Sequence, residues 1–317
     1  MYPRNRIGNA FEAIAIVAVV LVAGVLAALP AMAQDAAPQA PPAKTQPEVN
    51  RPVTSPGNAD WAASVEEARK RAAAQKKLVF YEFESLDCSD CQRMQALLYP
   101  AFDFEALLVG MVPVKVRYDV GESKPLQELY GIATAPSILV TTPEGRLVFL
   151  MQGFKDAPDF YAHVHRDLDL YRQFAKKLAA SDIAALPANE AFQIGRELYA
   201  RKDPRAAVPY LERASVAPDA GQNVRENALE GLAAVQLELG DSAASRKTIE
   251  KLIATAKDSD QKERAELFRA QIPLSQNDPE EALALYRKFV KDHPNSKYVE
   301  TVQSFIARLS PAAPPAR

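Results

Sequence analysis

Between residues 61 and 179 the apolar positions change period several times, and each change marks an element. In WAASVEEARKRAAAQK, residues 61–76, Trp61, Val65, Ala68 and Ala72 recur at spacings of three and four, which predicts an amphipathic helix. Leu78 to Phe83, LVFYEF, is a β-branched and aromatic run of strand length. CQRMQALLYP, from Cys91, predicts a helix stopped at Pro100. Met111 to Tyr118, MVPVKVRY, predicts a second strand, with Pro113 marking a strand start or a sheet edge. A short helix containing Gln127 to Tyr130 ends at Gly131, and strands at Ser137–Thr142 and Arg146–Gln152 flank the turn Pro143-Glu144-Gly145. A long helix, Ala157 to Ala179, closes the unit. The order α-β-α-β-α-β-β-α predicts an α/β domain at 59–180. Parallel strands alternate with flanking helices, and the last two strands form an antiparallel hairpin.

From Asn189 onward only the helical period remains, broken at Asp203-Pro204, Ala217-Pro218, Gly240-Asp241, Asp278-Pro279 and His293-Pro294. Two stretches align: AFQIGRELYARKDPRAAVPYLERASVAP and LFRAQIPLSQNDPEEALALYRKFVKDHP. Each has an acidic residue and Pro opening a helix, where proline costs no hydrogen bond, then a small Ala, a large apolar residue and a closing Pro. This all-α region, 188–310, resembles tetratricopeptide repeats. The resemblance gives Gly195, Leu198, Ala207, Leu211 and Ala214 to the packing positions of a first repeat. Ala233, Gly240, Ser245, Ile249 and Leu252 belong to a degenerate second, and Ala282, Tyr286, Phe289 and Pro294 to a third. The equivalent positions Ala207, Ser245 and Ala282 lie 38 and 37 residues apart, longer than the usual period. Pro273 is expected to interrupt the first helix of the third repeat. Residues 296–309 read as a capping helix packing through Tyr298, Val302, Phe305 and Ile306, and 311–317 as a disordered tail. The resemblance implies a concave surface for a peptide or protein segment; the alternative is that these helices only stabilise or dimerise the first domain.

The N-terminus has a different pattern. Arg4 and Arg6 precede a run, Ala13 to Leu29, in which every residue is apolar or Gly; Pro30 and Ala31-Met32-Ala33 follow. This is the layout of a signal peptide over residues 1–33, cleaved after Ala33. The run is also long enough for an uncleaved membrane anchor. Either reading exports the rest of the chain, to a periplasmic or similar compartment where disulfides persist. Residues 34–58 carry Pro38, Pro41, Pro42, Pro47, Pro52 and Pro56 without apolar periodicity, and read as a disordered linker.

Composition removes several function classes. The 317 residues, 48% hydrophobic and 25% charged, suffice for one large domain or two smaller ones. A net charge of −2 leaves no basic excess for a phosphate backbone, so no nucleic-acid partner is expected. Glycine, at 12, is scarce and forms no phosphate-cradling loop. With two cysteines and three histidines, a disulfide-rich scaffold and a cysteine-built zinc site are excluded. His163 and His165 stand two apart on a helix and do not face one another, so they read as surface residues and no metal site is expected.

Both cysteines lie in Cys88-Ser89-Asp90-Cys91, where a strand hands over to a helix. A disulfide across so small a loop stabilises by at most roughly 2 kcal/mol, so the spacing suits reversible exchange better than stapling. At the helix N-terminus Cys88 would be exposed, with unpaired N–H groups and the helix dipole favouring its thiolate. Cys88 would attack and form a mixed disulfide, and Cys91, one turn on, would resolve it. Arg93 adds positive potential; Asp87 and Asp90 oppose it.

Residues 58–178 resemble a thioredoxin-fold domain, a central mixed sheet flanked by helices, and most closely its periplasmic branch. The residues that carry the likeness are LVFYEF, C-S-D-C with its following Met, GIATAPSILV and the hairpin TTPEGRLVFLMQG. The resemblance implies a cis-proline facing the cysteines, at Pro136. Ala135 and Pro136 would then align an extended substrate beside Cys88. It also implies a buried acid six residues before the first cysteine, at Glu82, moving protons to and from the second thiol. Strand alternation sets Phe80, Glu82 and Glu84 on one face, which leaves Glu82 either buried in a covered sheet or turned to solvent. The family's usual Trp before the first cysteine is Asp87 here, and its Gly-Pro is Ser89-Asp90.

The combined expectation is an exported thiol–disulfide oxidoreductase acting on protein cysteines. Its catalytic residues are Cys88, Cys91 and Glu82, its substrate-binding residues Ala135 and Pro136, and it needs no cofactor. Its partners are protein thiol or disulfide substrates, a redox partner protein and a protein segment on the repeats, with a membrane involved only if the N-terminal segment stays attached. The alternatives are a non-catalytic envelope scaffold with an inactive thioredoxin domain, and a Cu(I)-handling dithiol protein.

Overall fold

The strand predicted from LVFYEF forms, and a sheet is built around it. In the computed structural model, which describes residues 60–100 and 102–310, β1 is Leu78–Glu84. The expected signal peptide at 1–33, linker at 34–58 and tail at 311–317 lie outside the described residues. The chain divides into two compact units, 60–180 with 201–203, and 181–200 with 204–310.

In the first unit α1 is Val65–Gln75, α2 Ser89–Leu98, α3 Phe102–Leu108, β2 Met111–Arg117, α4 Lys124–Tyr130, β3 Ser137–Thr141, β4 Leu147–Gln152 and α5 Ala157–Ala179. The sheet order is β2-β1-β3-β4. β1 pairs with β2 in parallel and with β3 antiparallel, and β3 and β4 form the expected hairpin. The sheet is therefore mixed, and β2 lies at its edge, which tolerates Pro113.

Five helices cover both faces. Phe80, Ile138, Val140, Phe149 and Met151 pack with Met94 and Leu98 of α2, Phe104 and Leu107 of α3, and Phe160 and Val164 of α5. Val79, Tyr81, Phe83 and Leu139 pack on the opposite face with Ala68 and Ala72 of α1 and Leu126 and Tyr130 of α4. Burying each large side chain contributes roughly 1.5–3 kcal/mol. The last two strands are joined by a tight turn in which Gly145 takes φ 102° and its carbonyl accepts from Tyr130 Oη at 2.6 Å. A side chain there would need a rarely adopted backbone and would crowd that hydroxyl.

Two expectations change in this first unit. The first helix starts at Val65, not Trp61. Ser64 caps it, its hydroxyl accepting from Glu67 N at 3.1 Å, while Glu67 accepts from Ala63 N at 2.9 Å. Trp61 and Ala62 precede this cap. Ala62 bridges to Val114 on β2, and Trp61 packs edge-on to Phe80, on the other face from α1. Helix α3 was not anticipated; it forms where Phe104, Leu107 and Leu108 bury against Tyr99 and Phe80.

The second unit is all-helical: α6 Ala188–Ala200, α7 Pro204–Val216, α8 Gln222–Glu238, α9 Ser242–Thr255, α10 Ser259–Ser275, α11 Pro279–Asp292 and α12 Val299–Leu309. Pro204 and Pro279 open α7 and α11 as the sequence indicates, and Asp278 caps α11 through Glu281 N at 3.0 Å. The small positions Ala207, Ala233, Ser245 and Ala282 are fully buried. Ser245 stands where the other repeats have Ala, and its hydroxyl is satisfied by Ala233 O at 2.8 Å. One core joins α8, α9 and α10 and the next joins α10, α11 and α12, so burial runs on from helix pair to helix pair. Pro273 does not interrupt α10, which continues through it to Ser275. A proline so close to the end of a helix disturbs only its last turns.

Candidate active site

β1 delivers the chain to the CxxC segment, and Cys88 becomes the N-cap of α2. Its Sγ accepts from Cys91 N at 3.0 Å, one of the donors a helix start leaves free. Cys88 and Cys91 are joined as a disulfide. Their surroundings differ: Cys91 is 3% exposed, whereas Cys88 is only half-buried. Leu86, Asp87, Ser89 and Asp90 are exposed around them. Arg93 is exposed too, its guanidinium 4.3 Å from the centre of the Phe154 ring.

β3 runs antiparallel to β1, with Ser137 opposite Phe83. The residues just before β3 therefore lie at the sheet end where β1 leads into the cysteines. Pro136 is there; the Ala135–Pro136 bond is cis, and Pro136 O accepts from Gly153 N at 2.8 Å. Ala135, half-buried, precedes it.

Glu82 is fully buried, which decides between the two orientations left open by alternation. Its Oε1 accepts from Gln95 Nε2 at 3.0 Å, and its Oε2 lies 3.9 Å from Lys115 Nζ. Burial pushes its carboxyl above the usual carboxylate range, while the Lys115 charge and the Gln95 and Tyr99 side chains pull the other way. Glu82 Oε2 and Tyr99 Oη nevertheless lack a hydrogen bond of normal geometry. Burial together with the neighbouring carboxylates raises the Tyr99 hydroxyl far above its ordinary value.

Three neighbours of Glu82 were missed in the sequence, Gln95, Tyr99 and Lys115, and the fourth, Glu84, was placed on its face by strand alternation without a role. Gln95 follows Cys91 by four residues and so shares its helix face, and Glu84 shares the strand face of Glu82. Those two signals were present. Lys115 becomes a neighbour only through the β1–β2 register, in which it pairs with Glu82.

The histidines sit elsewhere. His163 and His165 are exposed on α5, and His163 Nδ1 meets Asp159 O at 2.6 Å. His293 Nε2 lies 2.7 Å from Glu266 Oε2 in the helical unit. Among the described residues no cluster of three or more His, Cys, Asp or Glu is placed to hold a metal ion.

The family model described as a thioredoxin-like domain matches residues 65–166. That segment is a thioredoxin-like domain. The tetratricopeptide-repeat model matches residues 264–296, within α10 and α11 and the turn after them. No curated protein matches the chain. Similar solved structures include a thioredoxin from Thermus thermophilus, 23% identical over 32% of this chain and 80% of that one, with a TM-score of 0.29. Another is titled DsbH oxidoreductase, 19% identical over 40% and 96%, with a TM-score of 0.31. A third is the oxidised C-terminal domain of DsbD from Neisseria meningitidis, 19% identical over 33% and 88%, with a TM-score of 0.27. A thioredoxin-like domain with this cysteine pair supports thiol–disulfide oxidoreductase chemistry, and a tetratricopeptide repeat supports contact with another protein. Among the described residues no helix is long and apolar enough to cross a membrane.

Proposed function

We propose that the protein is an exported thiol–disulfide oxidoreductase acting on protein cysteines, with its helical repeats holding a protein partner. The observation that carries this reading is the inequality of the pair: Cys88 is partly open at the start of α2, and Cys91 is enclosed behind it. An attacking thiol must be reached by another protein, and a resolving thiol must not.

In the reducing direction the Cys88 thiolate attacks a substrate disulfide. One substrate sulfur joins Cys88 and the other leaves with the electron pair. Cys91 gives its proton to Glu82 and attacks Cys88 Sγ, which closes the Cys88–Cys91 disulfide and releases the second substrate sulfur as thiolate. Two electrons pass to the substrate, and the reverse sequence oxidises it. Ala135 and Pro136 hold the substrate backbone beside Cys88. Electrons move between sulfur atoms, so no bound cofactor is required. Export rests on Arg4, Arg6, the apolar run and Ala31-Met32-Ala33.

The test is the equilibrium reduction potential of the pair in glutathione or dithiothreitol buffers, with disulfide exchange by Cys88→Ser as control. A freely equilibrating pair and an inactive Cys88→Ser are expected. A pair that does not equilibrate would sink the enzyme reading and leave a protein-binding scaffold.

A further inference from the structure

Glu82 does not stand alone on its face of the sheet. Gln95 uses one amide nitrogen to donate to two carboxylates, Glu82 Oε1 at 3.0 Å and Glu84 Oε2 at 2.8 Å. Lys115 Nζ lies 3.5 Å from Glu84 Oε2 and 3.9 Å from Glu82 Oε2. The two acids differ in their access to water. The Glu82 side chain is 0% exposed, while Glu84 and Lys115 keep 16% and 18% of theirs open.

An acid that accepts a proton in one half of a redox cycle must return it in the other. A wholly enclosed carboxyl cannot do so directly with solvent. We propose that Glu84 is the proton exit of this site: the proton that Cys91 gives to Glu82 leaves through Lys115 and Glu84, and Gln95 holds the two carboxylates in line. The inference rests on the redox reading above and adds a route to it. Cys91 S–H protonates the Glu82 carboxylate as its sulfur attacks Cys88. The Lys115 ammonium first gives one of its protons to the Glu84 carboxylate and, as the amine so formed, takes the proton from Glu82; Glu84 then hands its proton to water. The lysine is charged before and after the exchange and neutral only between its two halves, so the net result is one proton moved from Glu82 to Glu84.

The other groups around the route are neutral or lie towards its outer end. Tyr99 closes α2 beside Glu82, the Trp61 ring centre lies 5.4 Å from Lys115 Nζ, and Arg117 pairs with Glu84 in the β1–β2 register. Glu84 touches neither cysteine and acts only through Glu82, so its test must read proton transfer and not folding alone.

Rapid mixing of the reduced protein with a peptide disulfide separates mixed-disulfide formation by Cys88 from resolution by Cys91. Glu84→Gln should form the mixed disulfide at the parent rate and resolve it about tenfold more slowly. Its resolution rate should rise with the concentration of imidazole buffer, which can carry the proton outward, and Glu84→Asp should restore it. Glu82→Gln should resolve slowly at every buffer concentration. Should Glu84→Gln fail to fold, Lys115→Met interrupts the same route and carries the same expectation of slow resolution. Resolution by Glu84→Gln at the parent rate across the pH range, or slow resolution that ignores buffer, overturns the exit. A parent protein that forms no mixed disulfide overturns the redox reading itself, and the exit with it.

Discussion

Asp87 and Asp90 bracket Cys88, and both are exposed. Each negative charge disfavours a thiolate beside it, and so disfavours the reduced, ionised form of the pair. Asp87→Asn and Asp90→Asn are each expected to lower the Cys88 thiol pKa and make the pair more oxidising. The shift should be on the order of 10–20 mV, the scale of an exposed charge interaction. Ultraviolet thiolate absorbance against pH, with a glutathione titration, reads both; a shift to a more reducing potential would contradict the assignment. Glu82 gives a second expectation. Burial raises its pKa, so the folded chain keeps a proton that the unfolded chain gives up. Stability therefore falls as pH rises from the ordinary glutamate range towards the raised value. Glu82→Gln cannot ionise, so it should be the more stable form at neutral pH, with its advantage vanishing in acid. Urea unfolding across that range checks the sign; a parent advantage that grows with pH would mean that Lys115 outweighs burial. At this scale the cysteines, Glu82, Ala135 and Pro136 were legible from local spacing and resemblance. Tyr99 and Lys115 were not, because they reach Glu82 through tertiary packing and strand register.

The elements were most legible where a breaker marks an end. Gly131 closes α4 at φ 67°, and Pro204 and Pro279 open their helices. Legibility failed where packing decides. Trp61 falls at a helical spacing from Val65, but the Ser64 cap lies between them and the indole packs on the opposite face of the sheet. Helix α3 spans seven residues, too few to display a period, and depends on apolar contacts that only the folded core supplies. Removing the missed cap by Ser64→Ala should cost about 1 kcal/mol in urea unfolding, and an unchanged midpoint would mean that the cap contributes nothing. In the repeats the sharpest expectation concerns Gly195. A Cβ there would meet Leu211 Cγ at 2.8 Å and Leu211 Cδ2 at 2.9 Å, at the close approach of α6 and α7. Gly195→Ala should destabilise the helical unit by roughly 1–3 kcal/mol, despite the better helix propensity of alanine. A stabilised variant would show that Leu211 moves aside freely.

At the scale of the molecule, the hydrophobic pattern divided the chain correctly into an α/β part and a helical part, because period is a property of each local stretch. Two apolar clusters pack within residues 60–180, and two more pack within residues 229–309. The Cys88–Cys91 bridge closes a four-residue loop inside the first unit, so its effect on stability belongs there. Reduction by dithiothreitol should lower the stability of that unit by no more than ~2 kcal/mol and leave the unfolding of the helical unit unchanged. Calorimetry with and without reductant checks this, and a much larger loss would make the bridge a structural staple.

The pairing of Cys88 with Cys91 also settles how this sequence can go wrong on oxidation. With two cysteines there is one intramolecular partner for each, so no scrambled monomer exists. Every mispaired product must join separate chains, and its yield must rise with protein concentration and fall away on dilution.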